Sequence, residues 1–328
     1  MGVRVFGTLL FCLLLASACA PTIAPPGSAM TPPMLADSHI RAADGVKLPL
    51  RVWHSDGPPR AVVLGLHGFN DYSKSFEHPA KTWTAEGVQV YAYDQRGFGA
   101  GSGAGLWHGS AAMTADLAAA SRLLRERYPD LPLYLVGESM GAAVILAAYG
   151  GIDRPMADGV VLSAPAVWSR DYMPAYQRGA LWLGAHTIPW MKLTGQGLEI
   201  RPSDNDDMLR ALGRDPLVIK ATRIDALYGL TDLMDEALAA APKMDARALV
   251  LYGREEQLIP EGARQALLDT LPQNGRWRYA EYESGFHMLL RDLNADRVLR
   301  DIAAWAVEPT VTPRRLNPEY AERLGYFP

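Results

Sequence analysis

The sequence predicts an α/β fold: a mostly parallel β-sheet with helices on both faces, interrupted late in the chain by a helical insert. Three observations carry this prediction. Continuous apolar runs of strand length stand at 60–68, 88–94, 131–137, 158–165 and 247–253, each closed by a turn residue. Such runs, without polar alternation, are the mark of strands buried on both faces. Helical stretches separate them, and strand–helix alternation argues for parallel neighbours joined by crossovers. The alternation then stops between 168 and 243, where no buried strand is legible.

The first stretch of the chain does not belong to that fold. MGVRVFGTLLFCLLLASAC has one cation, Arg4, an apolar stretch over 5–15, and then small residues. This is the layout of a secretory signal peptide over 1–18, and it is too short to cross a bilayer comfortably. The segment Leu15-Ala16-Ser17-Ala18-Cys19 resembles a bacterial lipoprotein processing site, with Ala16 where leucine is more usual. The resemblance implies cleavage before Cys19, lipid attachment to it, and an exported chain anchored in a cell-envelope membrane (periplasmic or outer membrane in a Gram-negative source). A plain secreted protein cut near Ala18 or Ala20 is the alternative. Cys12 lies in the removable segment, so the mature chain keeps only Cys19 and forms no internal disulfide. Each buried acyl methylene contributes about 0.8 kcal/mol, so several chains hold a protein at a membrane. Residues 19–36, with APTIAPPGSAMTPPM after the cysteine, read as an extended Pro-rich tether without a core.

The folded part begins near Asp37. HIRAADGVKLPLRVWHS places two strand-like runs around Asp44-Gly45-Val46, a hairpin pattern. RAVVLGLHG is a buried strand, roughly 75–86 is helical, and VQVYAYD is strand again. QRGFGAGSGAG forms a loop, 110–127 a helix ending before Pro129, LPLYLVG a strand, MGAAVILAAY a helix and DGVVLSAP a strand. After the insert come the strand RALVLYG, a helix over 260–271, the strand WRYAEY and a last helix near 294–306. The organisation expected is therefore core over 37–167, helical insert over 168–243, core again over 244–308 and a tail over 309–328. A chain of 328 residues suits one large α/β domain carrying a subdomain. Its net charge of −4 offers no basic patch, which sets nucleic acid aside as a partner.

The insert carries Trp168, Tyr172, Tyr176, Trp182, Trp190 and Met191. Its position between two strands of one sheet favours a cap that roofs a pocket over a subdomain packing its own aromatics.

The chemistry centres on Gly137-Glu138-Ser139-Met140-Gly141, which lies just after a buried strand and just before a helix. A G-x-S-x-G in that setting is a nucleophile elbow. The glycines clear space around a sharp turn, and the helix N-terminus directs free N–H groups at the serine, where negative charge develops. A serine hydroxyl needs a base. Of His39, His54, His67, His78, His108, His186 and His287, only His287 follows the last strand, in a loop able to return to the elbow. His67, in His-Gly directly after a strand, reads as structural, and His186 as a residue of the insert. The acid that orients the base should follow ALVLYG, in GREEQLIP. Glu256 is preferred and Glu255 is its rival. The oxyanion hole needs two backbone donors: Met140, after the nucleophile, and Phe69, in the loop after LGLHG. Asn70 and Asp71 brace that loop, contact substrate, or sit in a surface turn; the sequence leaves these open. No metal or organic cofactor is implied.

LHGFNDYS, YDQRGFGAGSG, LVGESMGA, LSAP, YGREEQLIP and GFHMLL, in this order, resemble the monoacylglycerol lipase and lysophospholipase-like branch of the α/β-hydrolases, to which the serine aminopeptidases are related. The resemblance covers about residues 40–306. It implies an α/β-hydrolase fold with the cap between strands 6 and 7 lining an acyl-chain pocket, and it makes Asp94 a structural loop residue. Glu256 departs from the usual aspartate. The implied activity is hydrolysis of a single-chain lipid ester, a lysophospholipid or monoacylglycerol, through an acyl-enzyme on Ser139. Two rivals stand beside it. A serine aminopeptidase-like enzyme would want an acidic site for an ammonium group, for which Glu199, Asp204, Asp206 and Asp207 are candidates. A non-catalytic envelope lipoprotein would keep the fold for binding alone.

Overall fold

Successive side chains of a strand point to opposite faces, so a run that is apolar at every position must be covered twice. Val62, Leu64 and Leu66 enter one buried cluster, and Ala61 and Val63 enter a second. Leu133 and Leu135 part in the same way from Tyr134 and Val136, and Val250 and Tyr252 from Leu249 and Leu251. The result is a central sheet with a core on each side.

The structure is a computed structural model describing residues 21–307 apart from 196 and 198. In chain order the strands are β1 (Met34–Leu35), β2 (His39–Arg41), β3 (Lys47–Trp53), β4 (Ala61–Leu66), β5 (Val88–Tyr93), β6 (Leu133–Glu138), β7 (Gly159–Ser163), β8 (Lys192–Thr194), β9 (Ala221–Arg223), β10 (Ala248–Gly253) and β11 (Trp277–Tyr282). The large sheet runs β1-β2-β3-β5-β4-β6-β7-β10-β11. Its first three strands pair antiparallel, and every pairing from β5 onward is parallel. The register aligns the carboxyl ends of the parallel strands: Leu66 pairs with Gly137, Glu138 with Ser163, Ser163 with Leu251, and Gly253 with Tyr282. Loops leaving those ends meet along one edge.

The helices are α1 (Glu77–Ala85), α2 (Ser110–Arg127), α3 (Met140–Gly150), α4 (Ala175–Thr187), α5 (Asp206–Arg214), α6 (Ile224–Ala240), α7 (Glu261–Thr270) and α8 (Ala295–Val307). Trp83 of α1 and Leu299 of α8 share one cluster, and the Trp83 indole N–H donates to the Leu299 carbonyl at 2.9 Å. Leu117 of α2, Ile145 of α3, Leu233 of α6 and Leu267 of α7 fill the other. Helices thus cover both faces, as expected. The hairpin at Asp44-Gly45-Val46 also forms: Gly45 takes φ 83° and the Asp44 carboxylate accepts from Val46 N at 3.2 Å.

Two regions differ from the sequence expectation. The insert is not purely helical, since β8 and β9 form an antiparallel ribbon, too short and too exposed to give an apolar run. Its last helix, α6, also packs on α3: a Cβ on Gly150 would lie 2.8 Å from that of Ala240. The Pro-rich segment is extended but bound to the core from residue 21 on. Ile23 bridges Trp107, Ala24 N donates to Trp107 O at 2.8 Å, and Met30 N donates to Ala43 O at 2.8 Å. Proline leaves few backbone donors, and those of Ala24, Gly27, Met30 and Thr31 bond the core. The segment 1–18 expected to be a signal peptide, Cys19 and the tail 309–328 lie outside the described residues. Among the described residues, no helix is long and apolar enough to cross a membrane.

Candidate active site

Ser139 stands between β6 and α3 with φ 52° and ψ −112°, a backbone state that L side chains rarely adopt. The strain is held by its neighbours. Ser139 N donates to Ser163 O at 2.9 Å, and Ser139 O accepts from Ala143 N and Ala166 N, each at 3.1 Å. The flanking glycines are sterically required: a Cβ on Gly137 would lie 2.4 Å from Ala142 N, and one on Gly141 would lie 2.1 Å from Leu66 O. Gly141→Ala therefore lowers the urea midpoint, with a loss of about 2 kcal/mol or more, because backbone must move. Gly179, in α4, is the control, because a Cβ there would meet nothing within 4 Å. Gly179→Ala raises stability by about 0.5–1 kcal/mol.

Glu256 and His287 meet in the buried interior of the same edge. His287 Nδ1 lies 2.6 Å from Glu256 Oε2, with side-chain exposures of 5% and 0%. Glu256 Oε1 accepts from Leu258 N at 2.7 Å and Ile259 N at 3.1 Å, so the whole carboxylate is held. Glu255 is exposed, and its backbone N–H bonds Gly285 O at 2.9 Å. Geometry thus separates the two rivals. Burial pushes the Glu256 carboxyl up, but the His287 charge, its hydrogen bond and the two backbone donors outweigh this and hold it below its ordinary value. Burial pushes the His287 imidazole down, and the Glu256 charge and hydrogen bond, aided by Glu138 and Asp292, bring it above its ordinary value. With Nδ1 donating to Glu256, the Nε2 lone pair is the basic one.

The loop after β4 lies against the nucleophile, as a Cβ on Gly68 would sit 3.5 Å from Ser139 Cβ. Phe69 follows Gly68 and packs edge-on against Phe98, ring centroids 5.5 Å apart. Met140 opens α3, so its N–H has no acceptor within the helix. His67 is fully buried: Nδ1 donates to Gly68 O at 2.8 Å and Nε2 accepts from Gln95 N at 2.9 Å, which occupies both nitrogens with backbone. Asp94 likewise serves loops, accepting from Ser73 N at 3.0 Å and Ala100 N at 2.9 Å.

Arg291 and Asp292 were not legible in the sequence, and the roles of Asn70 and Asp71 were left open there. Arg291 is buried, 2.7 Å from Asp71 and 2.7 Å from Glu138. Asp292 accepts from Ser203 Oγ of the cap at 2.6 Å and from Phe286 N at 2.7 Å, and burial pushes it up to about 6. The sequence sign was a charged Arg-Asp pair directly after apolar MetLeuLeu. Asn70, at φ 65°, donates to Thr222 Oγ1 at 2.7 Å, and its carbonyl accepts from Ile219 N at 2.9 Å, which ties the loop after β4 to the cap. Arg291, Asp71 and Asp292 line a cavity of about 530 Å³ together with Tyr72 and, from the insert, Asn205 and Met208. Three of the four candidate acidic residues of the insert are engaged elsewhere. Asp204 accepts from Leu293 N at 2.8 Å, Asp206 pairs with Arg201 at 3.0 Å, Asp207 pairs with Arg210 at 2.5 Å, and Glu199 is exposed. Among the described residues, no group of three or more His, Cys, Asp or Glu is placed to hold a metal ion.

Comparison with known proteins gives the same picture from outside. A family model described as serine aminopeptidase S33 matches residues 57–294. The chain is 29% identical over 279 residues to a monoacylglycerol lipase of Mycolicibacterium smegmatis, covering 80% of this chain and 94% of that protein. It is 24% identical to a human monoglyceride lipase, covering 85% of this chain and 93% of the relative. In fold it is similar to a soluble variant of the Saccharomyces cerevisiae monoglyceride lipase solved with a substrate analog. The TM-score there is 0.68 at 20% identity, over 89% of this chain and all of that one (100%).

Proposed function

The chain belongs to the serine aminopeptidase S33 family of hydrolases, and from that premise we propose that it hydrolyses monoacylglycerol through an acyl-enzyme on Ser139. The observation that carries the chemistry is the buried His287–Glu256 pair, 2.6 Å apart, on a turn bolted to the residue before the nucleophile. In the first step His287 Nε2 takes the Ser139 proton as Oγ attacks the ester carbonyl. The N–H groups of Phe69 and Met140 receive the oxyanion. The C–O bond to glycerol breaks, and glycerol leaves with the proton from His287. Water, deprotonated by the same imidazole, then attacks the acyl-serine and releases the fatty acid, and Ser139 recovers its proton. Glu256 stays ionised throughout and stabilises the imidazolium.

The substrate class rests on the names carried by the full-length relatives, which are monoacylglycerol and monoglyceride lipases. The cap supports it. Tyr172, Tyr176, Trp182, Leu183, Trp190 and Met191 are each at least 40% exposed, and residues 172–198 contain no aspartate or glutamate. Half-exposed Trp and Tyr on a stretch of chain without acidic residues suit a lipid surface. The amino-terminal pattern at Cys19 would add a covalent anchor to that surface.

A panel of monoacylglycerols graded in chain length, lysophospholipids, acetyl esters and aminoacyl amides tests the reading. Long-chain monoacylglycerol is expected to give the highest kcat/KM. Equal or better turnover of acetyl esters overturns the lipid assignment, and preference for aminoacyl amides returns the chain to the peptidase reading.

A further inference from the structure

Three segments must hold a fixed relation for Ser139 to react: the elbow, the loop that carries Phe69, and the turn that carries His287. They leave three different strands, β6, β4 and β11, and no backbone ladder joins them beyond the strand ends. One side chain spans all three. Arg291, one turn beyond His287, lies 2.7 Å from Asp71 of the loop after β4 and 2.7 Å from Glu138, the neighbour of Ser139. Side-chain exposure is 7% for Arg291, 7% for Asp71 and 3% for Glu138. The turn is closed by Arg291 N and Asp292 N, which donate to Met288 O at 2.8 and 3.0 Å.

Stability is a poor reason for such a cluster. Taking an arginine and two carboxylates out of water is costly, and apolar replacements of equal volume are often as stable or more so. The cluster is also incompletely hydrogen-bonded: Arg291 Nε, Glu138 Oε1 and Asp71 Oδ2 are buried without a hydrogen-bond partner, the last facing Arg291 only as an ion pair. What a planar guanidinium supplies is reach and geometry, since its rigid fork hydrogen-bonds Glu138 with one arm and ion-pairs Asp71 with the other, as a lysine point charge does not.

We infer that Arg291 is a positioning residue for catalysis, clamping the oxyanion loop through Asp71 and the nucleophile elbow through Glu138 in register with the turn of His287. The inference rests on the serine-hydrolase reading and adds to it a group outside the triad. It has an electrostatic consequence as well. His287 is faced by Glu256 from the loop after β10, Glu138 from the elbow and Asp292 from its own turn, all favouring its protonated form. His67, buried and neutral-leaning, feels Asp71 and Arg291. Arg291 neutralises Glu138, so its loss exposes His287 to an uncompensated carboxylate.

The test uses the whole chain with a p-nitrophenyl butyrate assay and fluorophosphonate labelling of Ser139. Three proteins are compared with wild type: Arg291→Lys, Arg291→Met, and the uncharged triple Asp71→Asn/Glu138→Gln/Arg291→Met. In Arg291→Lys and in the triple, kcat is expected to fall about 10²-fold with KM little changed, the effect of an ångström of misplacement. In Arg291→Met the acid limb of kcat/KM moves up by roughly one pH unit. In the triple it falls back to the wild-type position or below it, since the Glu138 charge is gone, while kcat stays low. Where Arg291→Met does not fold, Glu138→Gln and the triple carry the test, since neither leaves a buried carboxylate without its counter-charge. A triple that folds and keeps wild-type kcat overturns the inference, as does an Arg291→Lys protein indistinguishable from wild type. Failure of wild type itself to label at Ser139 overturns the hydrolase reading and this inference with it, and is recognised because the wild-type arm fails.

Discussion

Ser139→Ala removes ester hydrolysis while leaving the protein folded, with kcat lower on the order of 10⁶-fold. The size follows from the loss of the atom that forms the acyl bond. Alanine changes nothing in how the elbow is held, because the bonds from Ser163, Ala143 and Ala166 are all made by the backbone of residue 139. The strained φ of 52° costs alanine about as much as it costs serine. Thermal unfolding should therefore be unchanged, and fluorophosphonate labelling should vanish. A residual rate of about 10³–10⁴ over water is expected from oxyanion contacts and binding alone. Activity in the alanine variant near the wild-type level would mean that another nucleophile does the chemistry.

Glu256→Gln is the second large effect, a fall in kcat of about 10⁴-fold in a protein that still folds. The amide keeps the shape of the carboxylate but cannot keep its roles. Leu258 N and Ile259 N both donate to Oε1, so the glutamine oxygen must face them and its NH₂ must face His287 Nδ1. A donor there forces the imidazole proton to Nε2, the nitrogen that must accept from Ser139. Glu255→Gln, altering an exposed side chain, should leave kcat unchanged. The pH profile adds a signed check. His287 is raised above its ordinary value near 6.5 against the pull of burial, so wild-type kcat/KM should fall with decreasing pH through a midpoint above 6.5. Without the Glu256 charge, burial prevails and the acid limb of the residual activity should move toward lower pH. An acid limb that stays put in Glu256→Gln would show that Glu256 does not act on the base.

Much of this was open to the sequence because it is local. A parallel strand buried on both faces writes itself as an unbroken apolar run, and a glycine forced by a 2.1 Å approach to Leu66 O leaves a gap that no other residue fills. The sharp turn at Ser139 and the strand–helix order of the fold followed from such signs. The Glu255–Glu256 alternative did not, since adjacent residues of one loop differ only in where the chain turns them. Tertiary structure alone decided that Glu256 faces His287, that the Pro-rich segment from residue 21 lies on the core, and that the cap contains a ribbon. It alone assembled Asp71, Glu138 and Arg291, which stand at or just beyond the ends of three separate strands and become neighbours only when the carboxyl ends of β4, β6 and β11 come to one edge. A charge on a loop looks the same in sequence whether water or a buried partner neutralises it; only the fold decides which.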